Sequence, residues 1–102
     1  MTDITITIQG RPWSLQFHTK TNMPDCLGMT NYEDQVIMIR DNLEQVTMAD
    51  TVIHELIHAT TTTLGVELTE QQVHQTATAL TEVMANNPEL FALIIKLIRK
   101  QP

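Results

Sequence analysis

The length, composition and charge of this chain are those of a small, acidic globular protein. It has 102 residues, of which 42% are hydrophobic, and a formal net charge of -6 at pH 7. A chain of this length forms one domain, residues 1–102. Its six Lys and Arg residues are too few to neutralise many phosphates of a nucleic acid. The composition therefore excludes a second domain and disfavours a nucleic-acid partner.

The cysteine content and the apolar segments predict a soluble cytoplasmic protein. Cys26 is the only cysteine, so the chain cannot form an internal disulfide. The most apolar segment, LFALIIKLIRK, is too short and too basic to span a bilayer, and MTDITITIQG lacks the features of a secretion signal. We expect an unprocessed protein with no membrane partner.

Alternating apolar residues predict a β-hairpin at the start of the chain. Residues 4–8, ITITI, alternate strictly, and residues 13–17 alternate again after a turn, so a hairpin is expected over residues 3–19. Residues 20–34 have no clear period and are expected to form a loop. The apolar run in residues 35–40, QVIMIR, predicts one more strand. We therefore expect a small, mostly antiparallel, three-stranded sheet.

Three amphipathic patterns predict three helices in the second half of the chain. The first helix begins between residues 41 and 47 and ends at Gly65, where glycine favours a left-handed stop. The second begins after Thr69, which starts a capping box, and the third runs from Asn87 to about Lys100. Together with the sheet, these helices predict an α+β fold.

The first predicted helix carries the sequence HELIH. His54 and His58 are four residues apart, so their imidazoles lie on one helix face and can bind one metal ion. Glu55 lies beside that face, where its carboxylate can act as a general base toward water. The residue types and their spacing therefore predict a catalytic metal site.

A third metal ligand is expected because a catalytic zinc site usually has three protein ligands. The extended pattern HExxHxxGxxH would need glycine and histidine where this chain has Thr61 and Leu64. The third ligand should therefore come from the next helix, and an antiparallel return at about 1.5 Å per residue brings His74 level with His58. We predict that His54, His58 and His74 bind zinc (Zn2+).

Two acidic residues are expected to support this site without binding the metal. Glu70 falls one turn short of the required height, but its position four residues before His74 suits a hydrogen-bond partner of that histidine. Asp50 has the same relation to His54. An alternative is that the histidines are ordinary core residues bonded to carbonyl groups, with no metal.

Three further residues have side chains that are found in functional sites. His18 ends the second predicted strand, and we expect it at the surface or at the rim of the site. Tyr32 could polarise a bound carbonyl, although packing in a turn is the favoured role. Cys26 has no Cys or His neighbour in the sequence, so neither redox nor metal chemistry is indicated for it.

The segments TVIHELIHATTTTLG, LTEQQVHQTATAL and NNPEL resemble a group of small phage and prophage proteins with an HExxH helix. The site is similar to those of minimal zincin metallopeptidases, such as the ImmA/IrrE and SprT-like families. In ImmA/IrrE proteins the third ligand is generally acidic and is followed by Ala and then by an apolar residue at intervals of three. His74, Ala77 and Leu80 match that spacing, with histidine in place of the acidic residue.

The resemblance implies a zinc-dependent metallopeptidase that acts on a protein or peptide, in the host cytoplasm if a phage encodes it. It also implies a zincin-like sheet with residues 35–40 as the edge strand, beside which an extended peptide could bind. The alternative is a non-catalytic phage accessory or interaction protein in which the histidines hold two helices together through a structural metal ion.

Overall fold

A computed structural model describes residues 3–100, which form four β-strands followed by three α-helices. The strands are β1 (Ile4–Ile8), β2 (Arg11–His18), β3 (Gly28–Asn31) and β4 (Val36–Arg40). The helices are α1 (Gln45–Thr63), α2 (Glu70–Asn86) and α3 (Pro88–Arg99). These elements confirm the predicted α+β class and the three helices.

The sheet has one strand more than predicted. Its four strands lie in the order β1-β2-β4-β3, and β2 and β4 are parallel while the two outer pairs are antiparallel. The additional strand, β3, lies within residues 20–34, which were predicted as a loop. The sheet is therefore mostly antiparallel, as predicted, but the predicted number of three strands is wrong.

The position of β4 also corrects the predicted edge of the sheet. β4 lies between β2 and β3, so residues 35–40 are internal and β3 is the edge strand on that side. Ile37 and Ile39 of β4 are fully buried, as expected for an apolar run in an internal strand. The edge strand beside α1 is therefore β3.

The N-terminal hairpin and the core follow the sequence pattern closely. The turn between β1 and β2 consists of Gln9 (φ 50) and Gly10 (φ 76), and two left-handed residues are what a tight hairpin turn requires. The hairpin, β4 and α1 supply the main core. Its buried side chains are Ile8, Trp13, Leu15, Ile37, Ile39 and Ala59.

Helix α1 packs on the sheet and carries the predicted metal site. It begins after Glu44, whose side chain accepts hydrogen bonds from two backbone N–H groups of the first turn. Thr51, Glu55 and Ala59 are its buried residues, and their spacing of four places them on the face toward the sheet. Gly65 (φ 76) follows its C-terminus, as predicted.

Helix α2 packs against α1, whereas α3 is peripheral. The capping box of Thr69 and Gln72 is present as predicted, and Val73 and Ala77 are the buried residues of α2. Helix α3 follows α2 directly, has no buried residue and makes its main contacts with α2. In the part of the chain that is described, no helix is both long and apolar enough to cross a membrane.

Candidate metal centre

The two histidines of the HELIH sequence meet a carboxylate of α2. His54 Nε2 donates a hydrogen bond of 2.6 Å to Glu70 Oε1, and His58 Nε2 donates one of 2.9 Å to Glu70 Oε2. One ligand atom of each of these three residues lies within 4.8 Å of the other two. Three donor atoms from two helices therefore converge on one point.

Glu70 reaches the histidines because the connection between α1 and α2 is not helical. Residues 66–69 have no regular structure, and Thr69 is extended (φ -70, ψ 158). An extended residue covers about 3.3 Å, more than twice the rise of a helical residue. The chain therefore returns to the position of His58 along the axis of α1 in fewer residues than the helical rise predicts. Helix α2 begins at that position with Glu70.

His74, the predicted third zinc ligand, lies beside this group. Its ring centre is 6.4 Å from that of His54, and it is exposed on α2 one turn after Glu70. It lines the same cleft as His54 but is not among the three converging residues. The contacts predicted for Glu70 also differ, because its carboxylate bonds to His54 and His58.

Glu55, the predicted general base, lies on the buried face of α1 and contacts β3. Only 7% of Glu55 is exposed, and its Oε1 accepts a hydrogen bond of 2.8 Å from Thr30 Oγ1. The other oxygen, Oε2, lies 3.9 Å from His54 Nε2. One carboxylate oxygen is thus fixed by β3, while the other lies near the converging donors.

Strand β3 can approach Glu55 this closely because residue 28 is glycine. A Cβ atom on Gly28 would lie 2.7 Å from Thr51 Cγ2 and 3.0 Å from Glu55 Cγ, which is too close for carbon atoms. Thr30 lies two residues further along β3, so its side chain points to the same side as residue 28. The sequence interpretation missed both residues because the only signal, a glycine and a threonine at strand spacing, is too short to mark a strand.

The two histidines lower the pKa of Glu70. Desolvation is the largest single influence and raises this pKa, but the hydrogen bond and charge of His54, together with those of His58, outweigh it. Glu70 is therefore ionised at a lower pH than an ordinary glutamate. A carboxylate must be ionised to bind a metal ion, so this shift suits a ligand.

A cleft of about 360 Å³ opens beside these groups, between α1, α2 and the start of β3. Its walls include His54, Glu55, Glu70 and His74. A second cavity, of about 600 Å³, lies next to His58 and is lined by the connection between α1 and α2. The converging donors are therefore reached from both sides.

The other residues considered from the sequence lie outside the converging group. Asp50 accepts a hydrogen bond of 3.2 Å from a threonine of α2, and His18 contacts the side chain of Gln16 at 2.9 Å. The hydroxyl of Tyr32 accepts a hydrogen bond of 3.2 Å from Thr62 near the end of α1. Tyr32 is 43% exposed and does not line the cleft beside His54. Cys26 is a half-buried free thiol.

The converging residues fit a zinc ion by their chemistry and by the exposure of Glu70. Two imidazole nitrogens and one carboxylate form a ligand set that catalytic zinc sites use, with a fourth position free for water or substrate. The side chain of Glu70 is 69% exposed, so it can withdraw from the histidines and admit an ion between them.

Comparisons of the chain with protein-family models, with curated proteins and with solved structures gave no match. The resemblance to zincins and to phage proteins therefore stays a prediction from the sequence motifs. A function must be inferred from the converging donors, the buried carboxylate and the cleft.

Proposed function

We propose that this protein is a zinc-dependent peptidase of the HExxH type. The observation that supports this best is the combination of three converging donor atoms with a buried glutamate beside them. His54, His58 and Glu70 would hold the zinc ion, and His74 is the alternative third ligand given by the sequence spacing. When bound, zinc supplies Lewis acidity, which lowers the pKa of water and polarises a carbonyl group.

Glu55 acts as the general base through its Oε2 atom. Thr30 holds Oε1 by a hydrogen bond, which leaves Oε2 on the side of His54. The attacking water transfers its proton to Oε2, and the proton then passes to the leaving amine. The close packing of β3 on α1 restricts rotation of the carboxylate, and this orientation contributes to the rate.

An extended peptide is the substrate that suits the surroundings of this centre. The start of β3 forms one wall of the cleft, and an edge strand can hold a peptide by adding it to the sheet. The volume of about 360 Å³ is at the lower end of the usual range for ligand pockets. We infer that a few residues on each side of the scissile bond are bound.

The setting in which the enzyme acts is inferred from its sequence and its single thiol. Cys26 is a free cysteine, which suits a reducing compartment. Together with the resemblance to phage proteins, this favours action in the cytoplasm of a host cell.

The test combines metal analysis with removal of the proposed base. Protein purified without a histidine tag should contain about one zinc ion per chain and should cleave members of an unbiased peptide library. Glu55→Gln should retain zinc while cleavage falls by about 1,000-fold, because the proton acceptor is lost. The matched control is Glu33→Gln, which changes an exposed glutamate in the turn after β3 that does not line the cleft, and this variant should cleave normally. Unchanged cleavage by Glu55→Gln would remove Glu55 from the mechanism, and absence of bound zinc would refute the proposal.

A structural metal site in a non-catalytic phage accessory or interaction protein is the second candidate. It is favoured by the small number of buried residues, Val73 and Ala77, that α2 contributes. A metal ion shared by α1 and α2 would stabilise a helix with so little buried surface. Strong thermal destabilisation by a chelator, with no cleavage of any library peptide, would support this role. Cleavage that depends on Glu55 would exclude it.

A further inference from the structure

Helix α3 has an apolar surface that no other part of residues 3–100 covers. Six large apolar side chains on this helix have between 40% and 62% of their surface exposed. They are Leu90, Leu93, Ile94, Ile95, Leu97 and Ile98. A strongly amphipathic helix normally buries its apolar side, so this surface is expected to have a partner.

The apolar surface of α3 is large enough for contact with a second copy of the same helix. Its six exposed side chains form a patch on the order of the largest apolar patches found on monomers, about 300 to 600 Å². Two patches of this size in contact would bury about 600 to 1,200 Å², and specific interfaces begin at about 1,000 Å². A pair of α3 helices reaches this limit when most of each patch is covered.

The side chains of α3 form a stripe with charges along one flank. Leu90, Ile94 and Leu97 follow the spacing of four and three residues that brings side chains onto one face. Glu89 and Lys96 are seven residues apart, and Lys100 follows four residues later, so all three lie on the same flank. This flank is acidic at the start of the helix and basic at its end.

We propose that α3 pairs with α3 of a second copy, antiparallel and about a two-fold axis near Ile94. In this arrangement Leu90 of each copy packs against Ile98 of the other, and the same flanks of the two helices adjoin. Glu89 of each copy then faces Lys100 of the other. A parallel pair would instead place this charged flank beside the opposite flank of the other helix, which carries Ile95 and no charge. Only the antiparallel arrangement therefore pairs Glu89 with Lys100.

Two other occupants fit this surface less well. The apolar groove between α1 and α2, of about 320 Å³, is lined by residues such as Val46, Ala49 and Met84 and has no charged side chain to pair with the flank of α3. An anionic membrane surface would attract the basic end of α3 but would repel the acidic remainder of a chain whose net charge is -6, and it leaves Glu89 without a partner. The second copy is the occupant whose charges match those of α3.

The first experiment measures the mass of the full chain in solution. We expect a particle of twice the chain mass of 11.6 kDa by light scattering and sedimentation equilibrium. Leu97→Gln should raise the dimer dissociation constant by about tenfold or more, because the leucine occurs twice in the interface. The matched control is Leu64→Gln, since Leu64 is 57% exposed and Leu97 is 56% exposed, and this control should leave the constant unchanged. A monomer at every concentration from about 1 to 500 μM would overturn the proposal.

The second experiment tests the direction of pairing by cysteine cross-linking in a Cys26→Ser background. Ile94→Cys should cross-link readily to its own copy, because it lies near the two-fold axis. Leu90→Cys should not, because the two equivalent positions would be about 12 Å apart along the axis, beyond the reach of a disulfide. A mixture of Leu90→Cys and Ile98→Cys chains should form the mixed product.

Three other outcomes of these experiments and of a vesicle-binding assay would overturn the proposal. Self-cross-linking of both Ile94→Cys and Leu90→Cys would indicate a parallel pair. A dimer in which neither position cross-links to itself would indicate that α3 occupies the groove between α1 and α2 of the other copy. A monomer that binds anionic vesicles, with binding lost in Leu97→Gln, would indicate a membrane surface.

The charged flank gives an independent check. Glu89→Lys and Lys100→Glu should each weaken the dimer severalfold, because each places like charges opposite one another. The double variant Glu89→Lys with Lys100→Glu should restore the dissociation constant, since the charges are only exchanged. Failure of the double variant to restore it would rule out the facing of these two residues.

Discussion

Helix α1 forms two interfaces, or seams, that differ in exposure: one with β3 and one with α2. The seam with β3 is closed, since Gly28 leaves no room for a Cβ atom and Glu55 is only 7% exposed. The seam with α2 is open, since the side chain of Glu70 is 69% exposed although it contacts both histidines. The proposed base is thus fixed by a strand, whereas the proposed third ligand is held mainly by the residues it meets.

This difference suits the separate requirements of a base and a metal ligand. A general base contributes most when its carboxylate is already oriented, which the contacts of the closed seam achieve. A metal ligand must move when the ion enters, because donors about 2 Å from one zinc ion lie farther apart than hydrogen-bonded atoms, and an exposed side chain moves at little cost. Substitutions in the open seam should therefore change metal affinity, and substitutions in the closed seam should change stability and turnover.

The largest expected effect is in the open seam, where Glu70→Ala should weaken zinc binding by about 100-fold or more. Glu70 contacts both histidines, so its loss removes one of three ligands. His74→Ala should weaken zinc binding by less than about tenfold, because His74 lies outside the converging group. Competition with a coloured chelator measures both affinities. The reverse order of effects would make His74 the third ligand, as the sequence spacing predicts.

The next largest effect is in the closed seam, where Gly28→Ala should destabilise the fold by about 1 to 3 kcal/mol. The new Cβ atom would lie 2.7 Å from Thr51 Cγ2, so β3 or α1 must shift. Urea denaturation measures the change in the free energy of unfolding.

A second substitution shows whether this contact is the cause. Thr51→Ser removes the Cγ2 atom but keeps the hydroxyl that donates to the Thr47 carbonyl at 2.7 Å. The double variant Gly28→Ala with Thr51→Ser should therefore recover part of the lost stability. If the two effects simply add, the close approach of β3 to α1 is not what requires glycine.

A smaller effect is expected for Thr30→Val, which removes the hydrogen bond to Glu55 while keeping the shape of the side chain. The fold should lose about 1 kcal/mol of stability. Turnover of any cleaved peptide should fall by about tenfold with KM little changed, because the base loses its orientation. Thr30→Ser keeps the hydroxyl and should restore turnover. Equal turnover of the Val and Ser variants would show that Thr30 does not position Glu55.

The elements that could be predicted from the sequence are those set by local interactions. The HELIH spacing, the capping box at Thr69 and the left-handed stop at Gly65 each depend on residues within one or two turns. For the same reason, the alternation in residues 4–8 predicted the hairpin. These features determine the helices and hence the histidine pair.

The features that could not be predicted depend on contacts between distant segments. Strand β3 has only four residues, and it becomes a strand because β4 pairs with it and because Gly28 lets it approach α1. The parallel pairing of β2 with β4 likewise has no local signal. The sequence predicts Glu70 one turn short of His58 because a helical rise is assumed, whereas residues 66–69 follow a non-helical path that has no local signal.

The smallest expected effect concerns Glu44, at the start of the helix that both seams share. The backbone N–H groups of Val46 and then Thr47 lower the pKa of Glu44, because they bond to its ionised form. Because the pKa of Glu44 is lower in the folded state, its ionised form stabilises the folded protein at pH values above the unfolded-state pKa of about 4.3. This stabilisation is lost as the pH falls through the lower pKa of the folded state.

Glu44→Gln should therefore lower the urea midpoint by a small and constant amount from about pH 7 to pH 5, with the difference from the unchanged protein shrinking toward pH 3. Comparing the two proteins at each pH cancels the titration of all other groups. Glu33→Gln is the control, because it alters an exposed glutamate that caps no helix, and its difference should not follow this pattern. A difference that grows as the pH falls would mean that the ionised carboxylate of Glu44 does not stabilise the start of α1.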